Sequence, residues 1–351
     1  MKYRSYPGTD FSVSTIGFGL WTTSTGWWGA VNDEQAISLI QEAYHSYGVT
    51  FFDAADSYGN GRSETQLGSA FKSCRDKIIY ATKFGYDFYN HGDERRGQQE
   101  IPHDFSPKFV RFALEQSLKR LQTDYIDLYQ IHNVRHEQVV SDELFGLLEE
   151  FKAEGKIRHY GVTLGPAIGW LYEGIDAIEQ RKIESMHMIY NLFEPFPGNE
   201  ILAAAERSNT DTGFVIRVPH SSGMLEGNLT VDTVFPANDH RKHRPRSWLL
   251  NGVKKVETLR FLELPNRNLG QAALQWILTN PRVMTVLPNI YDAAGLKAFA
   301  TTCEAPDLTP TELARIAELA QTNFGVSEDE QRFKGTMIRP DSQAQPVAAG
   351  V

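Results

Sequence analysis

Two cysteines among 351 residues, Cys74 and Cys303, are too few and too far apart for a disulfide framework or a CxxC metal site. Each reads as a buried or half-buried thiol in a reducing compartment, and no metal is expected. No stretch approaches the 18 or so uninterrupted apolar residues that a membrane-spanning helix needs. The first residues, MKYRSYPGTDFSV, lack the apolar core of a secretory signal. Positive charge is also in short supply. There are 35 Lys and Arg against 44 Asp and Glu, a formal net charge of −9, and a pI of about 5.6. That balance lacks the basic footprint of a nucleic-acid-binding protein. Together the absences predict a cytoplasmic protein with neither membrane nor nucleic acid as partner. Oligomeric state leaves no signature.

What is present suffices for a large core: 41% hydrophobic and 23% charged residues. Residues 2–13 read as a hairpin turning at Pro7-Gly8. Strand patterns then alternate with helical ones. The strands are read at 14–20, 49–53, 77–82, 125–131, 159–163, 186–190, 213–218 and 283–287. The helices are read at 33–47, 63–71 with Ser63 as its cap, 106–121, 142–154, 170–179, 200–207, 268–279 and 293–301. Eight such units predict an α/β fold, a (β/α)8 TIM barrel with an N-terminal β-hairpin cap and an extra C-terminal helix over 309–323. A single domain is expected over 1–325. The remaining 326–351, ending SQAQPVAAGV, reads as a tail that is partly ordered at most.

Two long loops interrupt the rhythm. Residues 84–105 carry Tyr86, Tyr89 and His91, and residues 219–247 carry Arg241, Lys242, His243, Arg244 and Arg246. Both follow strands and so fall on the C-terminal face of a barrel, where function concentrates. The basic cluster reads either as a solvated charge run or as an anion contact.

The strand ends are the strongest feature. Strand two ends in Asp53 with Tyr58 just beyond, strand three ends at Lys83, and strand four at His132. In a barrel these ends share one mouth. A phenol is a poor acid at neutral pH, and a buried ammonium beside it favours the phenolate. Asp53 would keep Lys83 charged and oriented. Tyr58 would give a proton to a carbonyl oxygen while His132 orients that oxygen. Nothing in this set supplies hydride, so the reading requires a nicotinamide cofactor.

The stretches FFDAADSYGNGRSE, TDYIDLYQIHN and GKIRHYGVT resemble the aldo-keto reductase superfamily, and the similarity covers roughly residues 1–323. The resemblance implies a (β/α)8 barrel and an NAD(P)-dependent oxidoreductase acting on a small carbonyl or alcohol: an aldehyde, a ketone or a sugar. It places the catalytic Asp, Tyr, Lys and His on Asp53, Tyr58, Lys83 and His132. It implies NADPH/NADP+ as cofactor, with NADH possible. The expected cofactor residues are Thr163, His187, Arg217, Pro219, Ser221, Ser222, Gly223, Leu225, Asn289 and Tyr291. Trp21, Trp28, Tyr86 and Asn133 are expected to line the substrate pocket, with Trp27 nearby.

The chain departs from the family pattern on the cofactor side. Leu164 stands where an Asn is usual, His187 where a Gln is usual, and Arg217 where an aromatic ring often stacks on the nicotinamide. Tyr291 replaces an expected Arg. Asp292, if it points inward, would repel a 2′-phosphate, and NADPH preference would then rest on the 241–246 cluster folding over the cofactor. Two other readings remain open: a non-catalytic regulatory subunit of the same fold, and a barrel enzyme with a divergent or absent nicotinamide.

Overall fold

The computed structural model describes residues 1–92, 100–237, 239–327 and 332–339. A two-stranded antiparallel hairpin, β1 (Tyr3–Ser5) and β2 (Ser12–Ser14), precedes eight parallel strands. These are β3 (Phe18–Gly19), β4 (Phe51–Asp53), β5 (Ile79–Phe84), β6 (Ile126–Ile131), β7 (Ile157–Thr163), β8 (Ser185–Ile189), β9 (Gly213–Arg217) and β10 (Val283–Leu287). They pair in chain order. A parallel bridge between Ile16 and Val286 joins the two edges into a barrel. At that seam Gly17 donates to the Val286 carbonyl at 2.9 Å. A Cβ on Gly17 would meet Thr285 and Leu287 at 2.8 Å, so only glycine admits the approach.

The helices are α1 (Trp21–Ser24), α2 (Asp33–His45), α3 (Arg62–Ala70), α4 (Phe88–His91), α5 (Pro107–Leu121), α6 (His136–Val139), α7 (Asp142–Ala153), α8 (Leu171–Arg181), α9 (Gly198–Arg207), α10 (Arg246–Thr258), α11 (Leu269–Leu278), α12 (Ala293–Ala300) and α13 (Pro310–Gln321). Their starts follow capping chemistry. Asn32 and Gln35 form a capping box on α2, and Ser106 with Pro107 opens α5. Each long helix buries one stripe, as α5 does with Val110, Ala113, Leu114 and Leu121. A fully buried leucine such as Leu114 contributes roughly 1.5–3 kcal/mol. The hairpin covers the N-terminal end of the barrel. Tyr6 Oη donates to Ser185 Oγ at 2.6 Å and to the Gly213 carbonyl at 3.2 Å, the first residues of β8 and β9. The opposite end is therefore the free mouth. Among the described residues no helix is long and apolar enough to cross a membrane.

Four expectations need correction. The strand read over 14–20 is two pieces, because Ser14 turns its hydroxyl onto the Ile16 carbonyl and breaks the run. Lys83 lies inside β5, which runs one residue beyond it. Ser63 does not cap α3. Gly61, at φ +91°, holds that position, and the Ser63 hydroxyl instead donates to the Ala55 carbonyl at 2.8 Å. The 219–247 segment ends in α10, whose first residue, Arg246, belongs to the basic cluster. The tail residues 340–351, including SQAQPVAAGV, and residues 93–99 of the 84–105 loop lie outside the described residues, as does Asn238.

Residues 332–339 fold back against the barrel. Lys334 pairs with Gly169 in a parallel bridge, and its carbonyl accepts the Trp170 N–H at 2.7 Å. Thr336 bonds to the Glu173 carboxylate through N–H and hydroxyl, and Arg339 reaches Asp176 and Glu179. A Cβ on Gly335, which has φ +71°, would run into Trp170.

Candidate active site

The ends of β4, β5 and β6 bring the four strand-end residues together. Lys83 Nζ donates to Asp53 Oδ2 at 2.7 Å and to the Ala54 carbonyl at 2.6 Å. Both side chains of the pair are sealed from water, at 0% and 4% exposure, which makes this a desolvated ion pair. Burial pushes the Asp53 carboxyl up, and Lys83 pulls against it. Gln130, one strand further on, donates to Asp53 Oδ1 at 3.4 Å. The Tyr58 ring lies with its centroid 4.8 Å from Lys83 Nζ. It meets the His132 ring edge-on at 5.5 Å. On its other side His132 meets Tyr86 at 4.8 Å. Burial, then the charges of Lys83 and Arg217, hold His132 well below the usual imidazole range, so the ring is neutral. Its Nδ1 lies 3.5 Å from Ser57 Oγ.

Tyr86 is less a pocket surface than a strut. It is 1% exposed, stacks on His103 at 4.1 Å, and gives its phenol proton to Glu100. Burial and then the Glu100 charge raise its pKa. Asn133 donates from Nδ2 to Tyr86 Oη at 2.6 Å and to Glu100 at 3.3 Å. Arg135 closes the network on Glu100 at 2.6 Å and lies 4.3 Å over the Trp170 ring. Glu100 and Arg135 were not singled out in the sequence, since one lies in a long loop and neither falls at a strand end.

The ends of β7, β8 and β9 differ in kind. Thr163 Oγ1 accepts the Asn133 N–H at 2.8 Å. Thr163 and His187 are register partners. Both His187 nitrogens are buried without a hydrogen-bond partner among the described residues, and Nδ1 is 3.8 Å from Asp53 Oδ1. Burial, then Lys83 and Arg217, keep this imidazole neutral too. Leu164 is buried, and its carbonyl accepts Arg217 Nη2 at 2.8 Å, with the Gly165 carbonyl beside it. Arg217 is thereby tied to the residues that follow β7, while its Nε has no partner among the described residues.

After β9 the chain makes a tight turn. Val218, Ser221, Ser222 and Gly223 have φ of +53°, +46°, +58° and +89°. Positive φ in non-glycine residues costs about 1–3 kcal/mol each and clusters at functional sites. Pro219, Ser221, Ser222 and Leu225 are buried. Arg244 reaches Ser222 Oγ at 3.2 Å, so part of the basic cluster does fold over this turn. Arg241 is tied to Asp239 at 2.7 Å and packs over Trp28 and Phe235. Glu226 is pushed up to about 7 by burial, against the pull of Arg241 and with Asp292 raising it further. Asp292 itself accepts the Gly295 N–H at 2.7 Å as the cap of α12.

The loop after β3 and the 239–243 segment clasp one another. His240 packs on Trp28 at 4.9 Å, on Trp21 at 5.7 Å and on Trp27 at 6.5 Å. Tyr291 stacks on Trp28 at 6.4 Å, and half-buried Asn289 lies two residues before it. A cleft of about 310 Å³ opens between Trp27, His240, His243 and Asp239. Burial holds His240 down at about 4, so it faces the cleft uncharged. Asp56, between Asp53 and Tyr58, was also missed. Its carboxyl is buried without a hydrogen-bond partner among the described residues, and burial together with nearby Glu64 pushes its pKa well up.

A family model described as the aldo/keto reductase family matches residues 15–321. The aldo-keto reductase YhdN of Bacillus subtilis (strain 168) is 32% identical over 295 residues, covering 80% of this chain and 82% of that protein. The NADH-specific methylglyoxal reductase of Escherichia coli (strain K12) is 30% identical over 304 residues, covering 82% and 89%. Among solved structures, the holo form of the aldo-keto reductase AKR11C1 from Bacillus halodurans superposes with a TM-score of 0.73 at 28% identity, covering 91% of this chain and 96% of that one.

Proposed function

The chain belongs to the aldo/keto reductase family and so is a nicotinamide-dependent oxidoreductase of small carbonyl or alcohol compounds, in which we propose that Tyr58 is the proton donor and acceptor. The observation that carries the assignment is the sealed Asp53–Lys83 pair, 2.7 Å across, beside the Tyr58 ring. Lys83, held by Asp53, stabilises the charge left on the Tyr58 oxygen as its proton departs. Neutral His132 has one N–H to give. With Ser57 beside Nδ1, the proton is assigned to Nε2, which then orients the carbonyl oxygen.

When bound, the nicotinamide donates or accepts the hydride. The polar atoms of His187 and Arg217 that lack a partner among the described residues, with Thr163 between β6 and β8, suit its polar amide. Pro219, Ser221, Ser222, Gly223 and Leu225 form the turn proposed to face the cofactor's phosphates, since successive backbone N–H groups in such turns bind anions. NADPH is the proposed cofactor, with Arg241 and Arg244 offsetting Glu226 and Asp292 near Asn289 and Tyr291. The pocket is assigned to Trp21, Trp28 and Asn133, with Tyr86 supporting Asn133 from behind.

In Tyr58→Phe we expect kcat for a simple aldehyde to fall about 10²–10⁴-fold. Tryptophan-fluorescence titration should give an unchanged cofactor dissociation constant. Wild-type turnover in the variant would overturn the assignment. Initial rates with both cofactors test the second part, and a clear preference for NADH would remove Arg241 and Arg244 from it.

A further inference from the structure

Asn133 carries one polar atom with nothing to bind. The residue is 4% exposed, and its Oδ1 is buried without a hydrogen-bond partner among the described residues. Everything else about the residue is fixed. Its N–H donates to Thr163 Oγ1 at 2.8 Å, and its carbonyl accepts Arg135 Nη1 at 2.5 Å. Its φ of +50° is one that few residues besides asparagine and glycine adopt readily.

The amide cannot be turned the other way. The Glu100 carboxylate only accepts, and Tyr86 spends its proton on Glu100, so its hydroxyl offers Asn133 a lone pair alone. Both neighbours demand the NH₂ group on their side. The carbonyl oxygen is thereby forced to the other side as an acceptor in want of a donor. Arg135 and Glu100 hold the arrangement at 2.6 Å, and Trp170 supports Arg135 from below. The position is adjacent to the chemistry. Asn133 follows His132 in the chain, and the Tyr86 ring that anchors its amide packs against the His132 ring at 4.8 Å.

We propose that Asn133 Oδ1 accepts a hydrogen bond from a substrate hydroxyl, and that the site takes carbonyl compounds with a hydroxyl on the neighbouring carbon. These are hydroxyketones, hydroxyaldehydes and open-chain sugars, and in the oxidative direction the matching vicinal diols. This rests on the carbonyl–alcohol reading of the site given above. An unsubstituted ketone leaves the buried acceptor unpaired, whereas a hydroxyl beside the carbonyl satisfies it. Sites built to bond a substrate hydroxyl reject the analogue without it far more sharply than apolar pockets reject an added group. For one neutral hydrogen bond the discrimination is about 10–100-fold.

The test uses the purified full chain at saturating NADPH or NADH. The measured quantity is the ratio of kcat/KM for hydroxyacetone to that for acetone, repeated with 1-hydroxy-2-butanone and 2-butanone. The hydroxyl activates the carbonyl by itself, so the informative comparison is the wild-type ratio against that of Asn133→Leu. The ratio is expected to fall about 10–100-fold in the variant. A ratio within about threefold of wild type overturns the proposal, because a buried acceptor left unpaired should change it by at least about fivefold. Should Asn133→Leu not fold, Tyr86→Phe carries the same comparison, since it removes the hydroxyl that orients the amide, and an unaltered ratio there overturns the proposal equally. Failure of the underlying reading looks different: the wild-type chain then turns over no plain aldehyde or ketone with either cofactor, and the proposal falls with it.

Discussion

Asp53 and His187 stand 3.8 Å apart at the barrel mouth, yet the two sides they belong to are finished to different degrees. On the β4–β5 side the Asp53–Lys83 pair is matched, with Lys83 spending its protons on Asp53 and on the Ala54 carbonyl, although the neighbouring Asp56 carboxyl has no partner among the described residues. On the β8–β9 side both nitrogens of His187 and the Nε of Arg217 are buried with no bonding partner among the described residues. A matched group holds its geometry whether or not a ligand is present. An unmatched one costs about 1–3 kcal/mol until something arrives to pair with it. On the assignment proposed above, the contrast separates the side that performs chemistry from the side that receives the cofactor.

Lys83→Met should break that contrast most severely. It strands the Asp53 carboxylate in a sealed site, and removing one partner of a buried pair costs about 3–5 kcal/mol. Urea unfolding measures this, and a loss below about 1 kcal/mol would mean that water reaches the pair. His187→Leu should do the reverse. Replacing an unpartnered polar group with an apolar one of similar size leaves stability level or slightly higher. The cofactor dissociation constant is expected to rise about 10–100-fold, read by fluorescence titration. Lower stability with unchanged cofactor affinity would show that His187 is already satisfied.

The smallest effect belongs to Glu226→Gln. The folded-state pKa of Glu226 is raised to about 7, above its ordinary 4.5. The native state therefore keeps its full stability below about 4.5 and loses this contribution as pH rises to about 7. Glutamine cannot ionise, so the variant's advantage should grow across that window to on the order of 1–3 kcal/mol and then level off. Equal melting-temperature differences at pH 5 and pH 8 would contradict it.

The same two sides differ in how far they could be read from the chain alone. That Asp53, Tyr58, Lys83 and His132 would come together was legible because strand ends in a barrel converge, and Asp53, Lys83 and His132 are odd residues to find at the end of an apolar run. The pairing of β3 to β10 in order followed from eight alternations, and short connections left no competing topology. The β8–β9 side was harder. That Arg217 would turn back onto the Leu164 carbonyl is decided by which acceptor lies within reach, and sequence spacing does not report that. Helix α10 was hidden by its start in a run of arginines and by Gly252, which is small because Met224 occupies the space a side chain would need. Glu100 and Arg135 belong to a network assembled from three separate loops, and no local pattern marks it. The 332–339 segment is held largely through its main chain, which carries no compositional signal.

That last segment also sets an order of events. Thr336 bonds to Glu173, 163 residues earlier in the chain, and Gly335 lies against the indole that supports Arg135. During synthesis, which runs at about 5–20 residues per second, β4 to β6 and their charged residues emerge long before residue 332. A nascent chain paused just short of that point would already hold Asp53, Tyr58, Lys83 and His132, but Trp170 would lack its backing. Among the described residues, the backing of the wall beside Asn133 is thus the last part to be made on the ribosome.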